Sequence, residues 1–498
     1  MADSLSFTAG DLVVSAVSAQ STPTAANGYG LDTASPITLT EFSLNGTTSV
    51  NAVGSTTLTQ TQNGANAPIS GEYGSASEGM LQLSGNGAYL TLMGYGVNAA
   101  AFNAPGSVYQ QASGSAALGQ SVNDGSAGAV TRVVALIGTG GAVDTTTAVT
   151  GVYSGNNPRS AYTVDGSSFY ISGQGSGTTN QGVFLVNKGS STATAIDTST
   201  DTRDVQVVNG ALTVSRDNKG SVLNAAYVSQ LTNASGGLPT SSSGLKNTVL
   251  TPTGNNASSN SGPNSEGQYY YTNPIAKAAY TDVQPAIYLT GTNGNNVNQT
   301  LTSIYTKSRV GNFVYASPEE FFYANATTLY VADSGAPKSG KADTAGIGDG
   351  GLQKYTLNAA TGLWVLDYTL SLGLNLVDNA SANIAANSNG LGGYNNDVTG
   401  LFGLTGEDIT VNGIQEVELF ATSYGKNELD TSYLYGITDV LGDTASSQVG
   451  TESFTTLDSA AGAELRGVSF TPVPEPASLS LLALGLVGFG AIRRRKTT

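Results

Sequence analysis

The chain has 498 residues, neither cysteine nor histidine, and only 11% charged residues, which excludes disulfide frameworks, thiol nucleophiles, Ser-His-Asp triads and His- or Cys-ligated zinc. Its 64 glycines are roughly double the usual share, so polarity comes from Ser, Thr, Asn and Gln and the composition suits short strands joined by turns. Up to residue 472 there are 15 basic and 34 acidic residues; that surface repels phosphate backbones and anionic lipid, excluding nucleic acid as a partner and serving solubility.

Met1-Ala2-Asp3-Ser4 has no basic start and no apolar run, so no signal peptide is legible at the beginning. A chain destined for export is then expected to have had its signal trimmed or its start placed late. FTAGDLVVSAV (7–17) reads as the first strand.

The same hairpin pattern then recurs along the chain. Apolar alternation, a tight Asn or Asp turn and a second apolar run appear around Asn86, Asp165-Gly166, Asn209-Gly210, Asn325 and Asn412-Gly413. Asn-Gly and Asp-Gly favour the positive φ that two-residue hairpin turns require. A second hairpin follows at 182–196 and again at 351–370, making four-stranded antiparallel units. Repetition of such units predicts an all-β propeller. The turn spacings of 79, 44, 116 and 87 residues accommodate six to eight blades, with about seven expected. A two-sheet sandwich array or a β-solenoid is the alternative. No stretch carries a 3.6-residue apolar period, so little helix is expected. AELRGVSF (463–470) is placed to pair with the first strand and close the ring. Residues 100–128, 232–266 and 379–400 are rich in small polar residues and read as surface insertions. TLYVADSG (328–335) resembles the strand-and-turn element of YVTN-type and NHL-type propellers, a resemblance covering one blade.

With His and Cys absent, enzyme chemistry would fall to paired carboxylates acting on a glycan. Glu416 and Glu418 lie on one face of a strand about 7 Å apart, but Val417 and Leu419 take the inward face and leave both Glu toward solvent. Glu319-Glu320 and Glu407-Asp408 read as exposed strand starts, so no catalytic residue is assigned. Asp333, Asp343 and Asp349 sit in a Gly-rich loop that matches no EF-hand or RTX spacing. A solvated loop is the favoured reading there, Ca²⁺ binding the alternative, and no cofactor is expected. Tyr269-Tyr270-Tyr271 would suit sugar stacking, although alternating Tyr in strands more often packs.

The C-terminal end is more specific. Pro474-Glu475-Pro476 is followed by an apolar run from Leu479 to Ile492, through Leu481, Leu482, Leu484, Leu486, Val487 and Phe489, and then by Arg493, Arg494, Arg495 and Lys496. As a helix the run would cover about 21 Å, short of a bilayer core of about 30 Å. The basic end would stay on the cytoplasmic side and place the body outside. The three parts in this order resemble the PEP-CTERM sorting signal. That resemblance implies an exosortase-type processing enzyme as partner, transient inner-membrane attachment through a short hydrophobic helix, removal of the tail, and delivery to the cell surface or extracellular matrix. The expected division is a propeller-like body over 1–471 and the sorting signal over 472–498. The body is read as a non-catalytic binder of extracellular polysaccharide or surface protein. The alternatives are a propeller enzyme acting on polysaccharide or lactone-type substrates, and a structural matrix component.

Overall fold

The computed structural model describes residues 6–19, 31–75, 77–217, 226–251, 318–334, 350–360, 362–374, 398–425, 431–450 and 452–473. Six antiparallel sheets stand around an axis as the blades of a propeller. The first blade joins the two ends of the body. Its order is β26 (Ala463–Phe470), β1 (Leu12–Ser18), β3 (Thr38–Asn45) and β4 (Ser49–Thr57). Leu12 lies opposite Phe470 and Val17 opposite Glu464, so the first strand does pair with the last.

The second blade contains β6 (Gln82–Leu83), β7 (Tyr89–Tyr95), β8 (Arg132–Gly138) and β9 (Val143–Val149), with β2 (Thr33–Pro36) and β5 (Ser70–Tyr73) added at Tyr95. The third is β10 (Pro158–Tyr162), β11 (Ser168–Gly173), β12 (Gly182–Asn187) and β13 (Thr194–Asp197). The fourth is β14 (Val205–Val208), β15 (Ala211–Asp217), β16 (Ala226–Thr232) and β17 (Lys246–Val249). The fifth is β18 (Pro318–Asn325), β19 (Thr328–Asp333), β20 (Gly351–Asn358) and β21 (Leu363–Leu370). The sixth is β22 (Val398–Val411), β23 (Ile414–Gly425), β24 (Ser432–Val440) and β25 (Thr455–Ala460). The described helices, α1 (Ala99–Asn103) and α2 (Val108–Ser113), are short and sit in the β7–β8 connection.

The core is divided among the blade interfaces, and these count the blades. Leu39 shares a cluster with Leu92, Val134 with Phe169, and Tyr170 with Leu212. Val228 then shares one with Leu329, Tyr330 with Leu419, and Phe420 with Val14. Alternation within a strand serves both neighbours: Leu329 and Val331 face the fourth blade while Tyr330 and Ala332 face the sixth. This explains why the middle of TLYVAD, Leu329 to Ala332, is a continuous apolar run and the strand is fully buried, as a strand covered on both faces should be. Six interfaces close the ring, so the expectation of about seven blades is corrected to six. The wide spacing between Asn209 and Asn325 suggested room for another blade, but β15 and β18 touch directly.

Each blade is a meander, which gives the disc two unlike faces. Turns between first and second and between third and fourth strands lie on one face, here the turn face. Connections between second and third strands, and from one blade to the next, lie on the other, the loop face. Most inner turns are tight. Asn209 and Gly210 have φ of 51° and 76°, and Asn412 and Gly413 have 51° and 84°, the left-handed pair that a two-residue hairpin needs. The long connections, 96–131, 252–317 and 375–397, all leave and re-enter at the loop face.

Candidate functional site at the propeller axis

The innermost strands β6, β10, β14, β18, β22 and β26 surround the axis. A polar knot lies there. The Gln82 amide Nε2 donates to Asp204 Oδ1 at 2.8 Å and to Glu320 Oε1 at 2.6 Å. Asp204 Oδ1 also accepts from Ser160 Oγ at 2.9 Å and from Val205 N at 2.7 Å, and its Oδ2 accepts from Gln206 Nε2 at 2.9 Å. Glu320 Oε2 accepts from Leu404 N at 2.7 Å. Five blades therefore meet at two carboxyl groups, both wholly buried. Burial pushes the Asp204 carboxyl up to about 7 against the donors that hold it down. Burial raises Glu320 well above the usual carboxylate range, and the neighbouring Asp204 adds to this.

Toward the loop face the axis is ringed by buried ion pairs. Arg159 meets Asp201 at 3.1 Å, Arg203 meets Glu319 at 3.3 Å, and Arg466 meets Glu78 at 2.8 Å and Glu464 at 2.6 Å. Ser334 Oγ donates to Glu319 Oε1 at 3.0 Å. Beside them, Glu72 accepts from Gly119 N, and burial with the nearby Glu78 raises its pKa well above the usual carboxylate range. Arg132, fully buried, donates to the carbonyls of Val130, Ser121, Tyr153 and Asn156 and so ties the 118–157 connections together. Arg159 Nε, Arg466 Nε, Asp201 Oδ1 and Glu78 Oε2 are buried and hold no hydrogen-bond partner among the described residues. These atoms retain donor and acceptor capacity at one end of the axis, which suits hydroxyl or amide groups.

Sequence reasoning placed Glu319 and Glu320 at an exposed strand start; both are buried, because β18 is an innermost strand whose start faces the axis. Asp333, read as part of a solvated loop, is also buried: it ends β19, and its Oδ2 accepts from Gln353 Nε2 at 2.7 Å. Asp343 and Asp349 lie outside the described residues, as do Tyr269, Tyr270 and Tyr271. Among the described residues no group of three Asp, Glu, His or Cys is placed to hold a metal ion. Glu407 and Asp408 are exposed, in mid-strand, and Glu416 and Glu418 are half-buried while Val417 and Leu419 pack inward. Glu407 pairs across the hairpin with Glu418, and burial together with Glu407 and Glu416 raises the Glu418 pKa.

The axial knot had a sequence signal that went unread. Aligning the hairpins on their turn residues puts Ser160, Asp204 and Glu320 in one column, five positions before Asp165, Asn209 and Asn325. Arg159, Arg203 and Glu319 fill the preceding column. A second buried group, between the fifth and sixth blades, had no such signal. There Lys354 Nζ meets Asp439 Oδ2 at 2.7 Å and donates to Val440 O at 2.8 Å, while Tyr368 OH donates to Asp439 Oδ1 at 2.6 Å.

The motif and apolar residues of the tail, Pro474 to Ile492, and its basic end lie outside the described residues. The body runs up to that point: Thr471 N donates to Asp11 O at 2.9 Å and Val473 N to Gly87 O at 2.8 Å. No described helix is long and apolar enough to cross a membrane. No curated protein matches the chain by sequence. Among solved structures, the crystal structure of Citrobacter koseri AztD aligns with a TM-score of 0.29 and 9% identity, over 93% of this chain and all of that one, a likeness too slight to bear on function. The model of the PEP-CTERM protein-sorting motif matches residues 472–496. The protein is therefore a six-bladed propeller carrying a PEP-CTERM sorting motif, which implies export, a membrane-anchored C-terminal signal and recognition by an exosortase-type processing enzyme.

Proposed function

We propose that the body is a non-catalytic binding module, delivered to the cell surface or matrix, that engages extracellular polysaccharide or surface protein through its loop face. The observation that supports this most is the asymmetry of the disc. The described strand ends that flank its three long connections all lie on the face opposite Val473, and loops on a rigid scaffold are where recognition is commonly built. The buried polar atoms with spare capacity around Arg159, Asp201, Glu78 and Arg466 lie at the same end of the axis. The test replaces residues 252–317 with a short Gly-Ser linker between Thr251 and Pro318. The ring should still melt cooperatively while retention on the producing cell's own polysaccharide or surface fraction is lost. Unchanged retention would refute the loop face as the binding surface.

The enzyme reading draws on one observation, the convergence of Asp204 and Glu320. Their oxygens are occupied by Gln82, Ser160, Gln206 and the amides of Val205 and Leu404, which supports a role in holding blades together. Release of reducing ends from polysaccharide by the native protein and not by E320Q would reverse that judgement. The sorting role is tested separately: P474A/E475A/P476A should abolish processing and surface delivery in the producing cell.

A further inference from the structure

Four large apolar side chains stand exposed on the turn face. Val164 sits in the β10–β11 turn, Val411 and Ile414 flank the β22–β23 turn, and Val473 closes the described chain. The other exposed large apolar residues, Val53, Val108 and Val249, are scattered over two edge strands and α2. Val473 is bonded to Gly87 in the β6–β7 turn, between the innermost strands of two blades, so the chain leaves the turn face close to the axis.

The geometry leaves little slack. Five residues, 474–478, separate Val473 from the apolar run at Leu479, and fully extended the six steps between them reach at most about 22 Å. The β22–β23 hairpin reaches into that gap. Leu404 is level with Glu320 at the axis, and eight positions separate it from Asn412, against five from Glu320 to Asn325. Its tip therefore stands about 10 Å beyond the neighbouring turn.

The charge pattern narrows the contact. Asp165 is the one charged residue in the inner turns at 84–88, 163–167, 209–210, 326–327 and 412–413, and the outer turns of the same face carry Lys188, Asp443 and Glu452. The hairpin shaft bears Glu407, Asp408, Glu416 and Glu418 with no basic residue. An apolar tip on an acidic stem suits the interface of neutral lipid and is repelled by an anionic one. We infer that, while the tail is held in a membrane, the turn face lies against it and Val411 and Ile414 enter the headgroup layer of zwitterionic lipid. The inference rests on the reading of the tail as a membrane segment.

The absence of cysteine makes the test direct, because one introduced cysteine reports one position. The full chain is reconstituted in phosphatidylcholine vesicles carrying a headgroup nitroxide, with a fluorophore on I414C or on T178C, an exposed loop-face site. Quenching at 414 should exceed that at 178 by about threefold and fall when phosphatidylglycerol replaces part of the neutral lipid. V411S/I414S, changed only at an exposed tip, should lose about half of the quenching of a probe at V164C. A chain that fails to float with the vesicles overturns both the tail reading and the facing. A chain that floats with equal quenching at both positions overturns the facing alone and leaves the tips for contact with the processing enzyme.

Discussion

Asp204 and Glu320 set an unusual pH dependence. Both carboxyls are raised by burial, so the folded state keeps protons that the unfolded chain has released. Stability on their account is fully present below pH about 4, where Asp204 would be protonated in the unfolded chain too, and is lost as pH rises through about 7. The difference in melting temperature between D204N and the native body should swing toward the variant by several degrees from pH 5 to pH 8, read by calorimetry. A gap that stays constant, or swings the other way, would show that the knot is ionised throughout. Lys354 offers a second check. K354M leaves Asp439 buried with only tyrosine donors, and denaturant titration should register a loss of about 3–5 kcal/mol.

At the scale of elements, the hairpins test how much of the fold is carried by turn chemistry. A Cβ on Gly210 or Gly413 meets nothing within 4 Å, so substitution there reports backbone conformation alone. G210A and G413A should each cost about 1 kcal/mol in denaturant titrations, the left-handed penalty without a clash. G467A differs, because its Cβ would meet Leu81 N at 2.1 Å where the first two blades touch. It should prevent the closed ring from forming, seen as loss of the cooperative melt.

These same hairpins account for what was legible in the sequence. Asn-Gly and Asp-Gly mark their own turns because φ is a local property, and the pairing of 7–17 with 463–470 followed from two strands left over at the ends. Blade number was not legible, because insertion length says nothing about which strands it joins. Nor was the burial of Glu319, Glu320 and Asp333, since charge alone predicts exposure unless the strand is known to be innermost. The partner of Lys354, Asp439, is distant in sequence and supplied by another blade, so no local pattern announced it.

At the scale of the whole molecule, the first blade is a joint. Removal of residues 6–18 takes away β1 and with it the link between β26 and β3. The remaining chain should lose its cooperative melt, whereas removal of residues 474–498 should leave the melting temperature of the body unchanged. Were the shortened body to melt as before, the ring would not depend on its first strand.

The joint also orders events in time. A polypeptide emerging amino end first presents β1 early, but its neighbour β26 is the final strand before the sorting motif. Five complete blades can assemble while the first blade waits for its inner strand. The ring shuts only when the residues next to Pro474 are through, so completion of the fold coincides with arrival of the segment that the processing enzyme recognises. A body released before that moment would be an open arc with two unsealed edges, and the position of the tag ensures that only a chain long enough to close is presented for sorting.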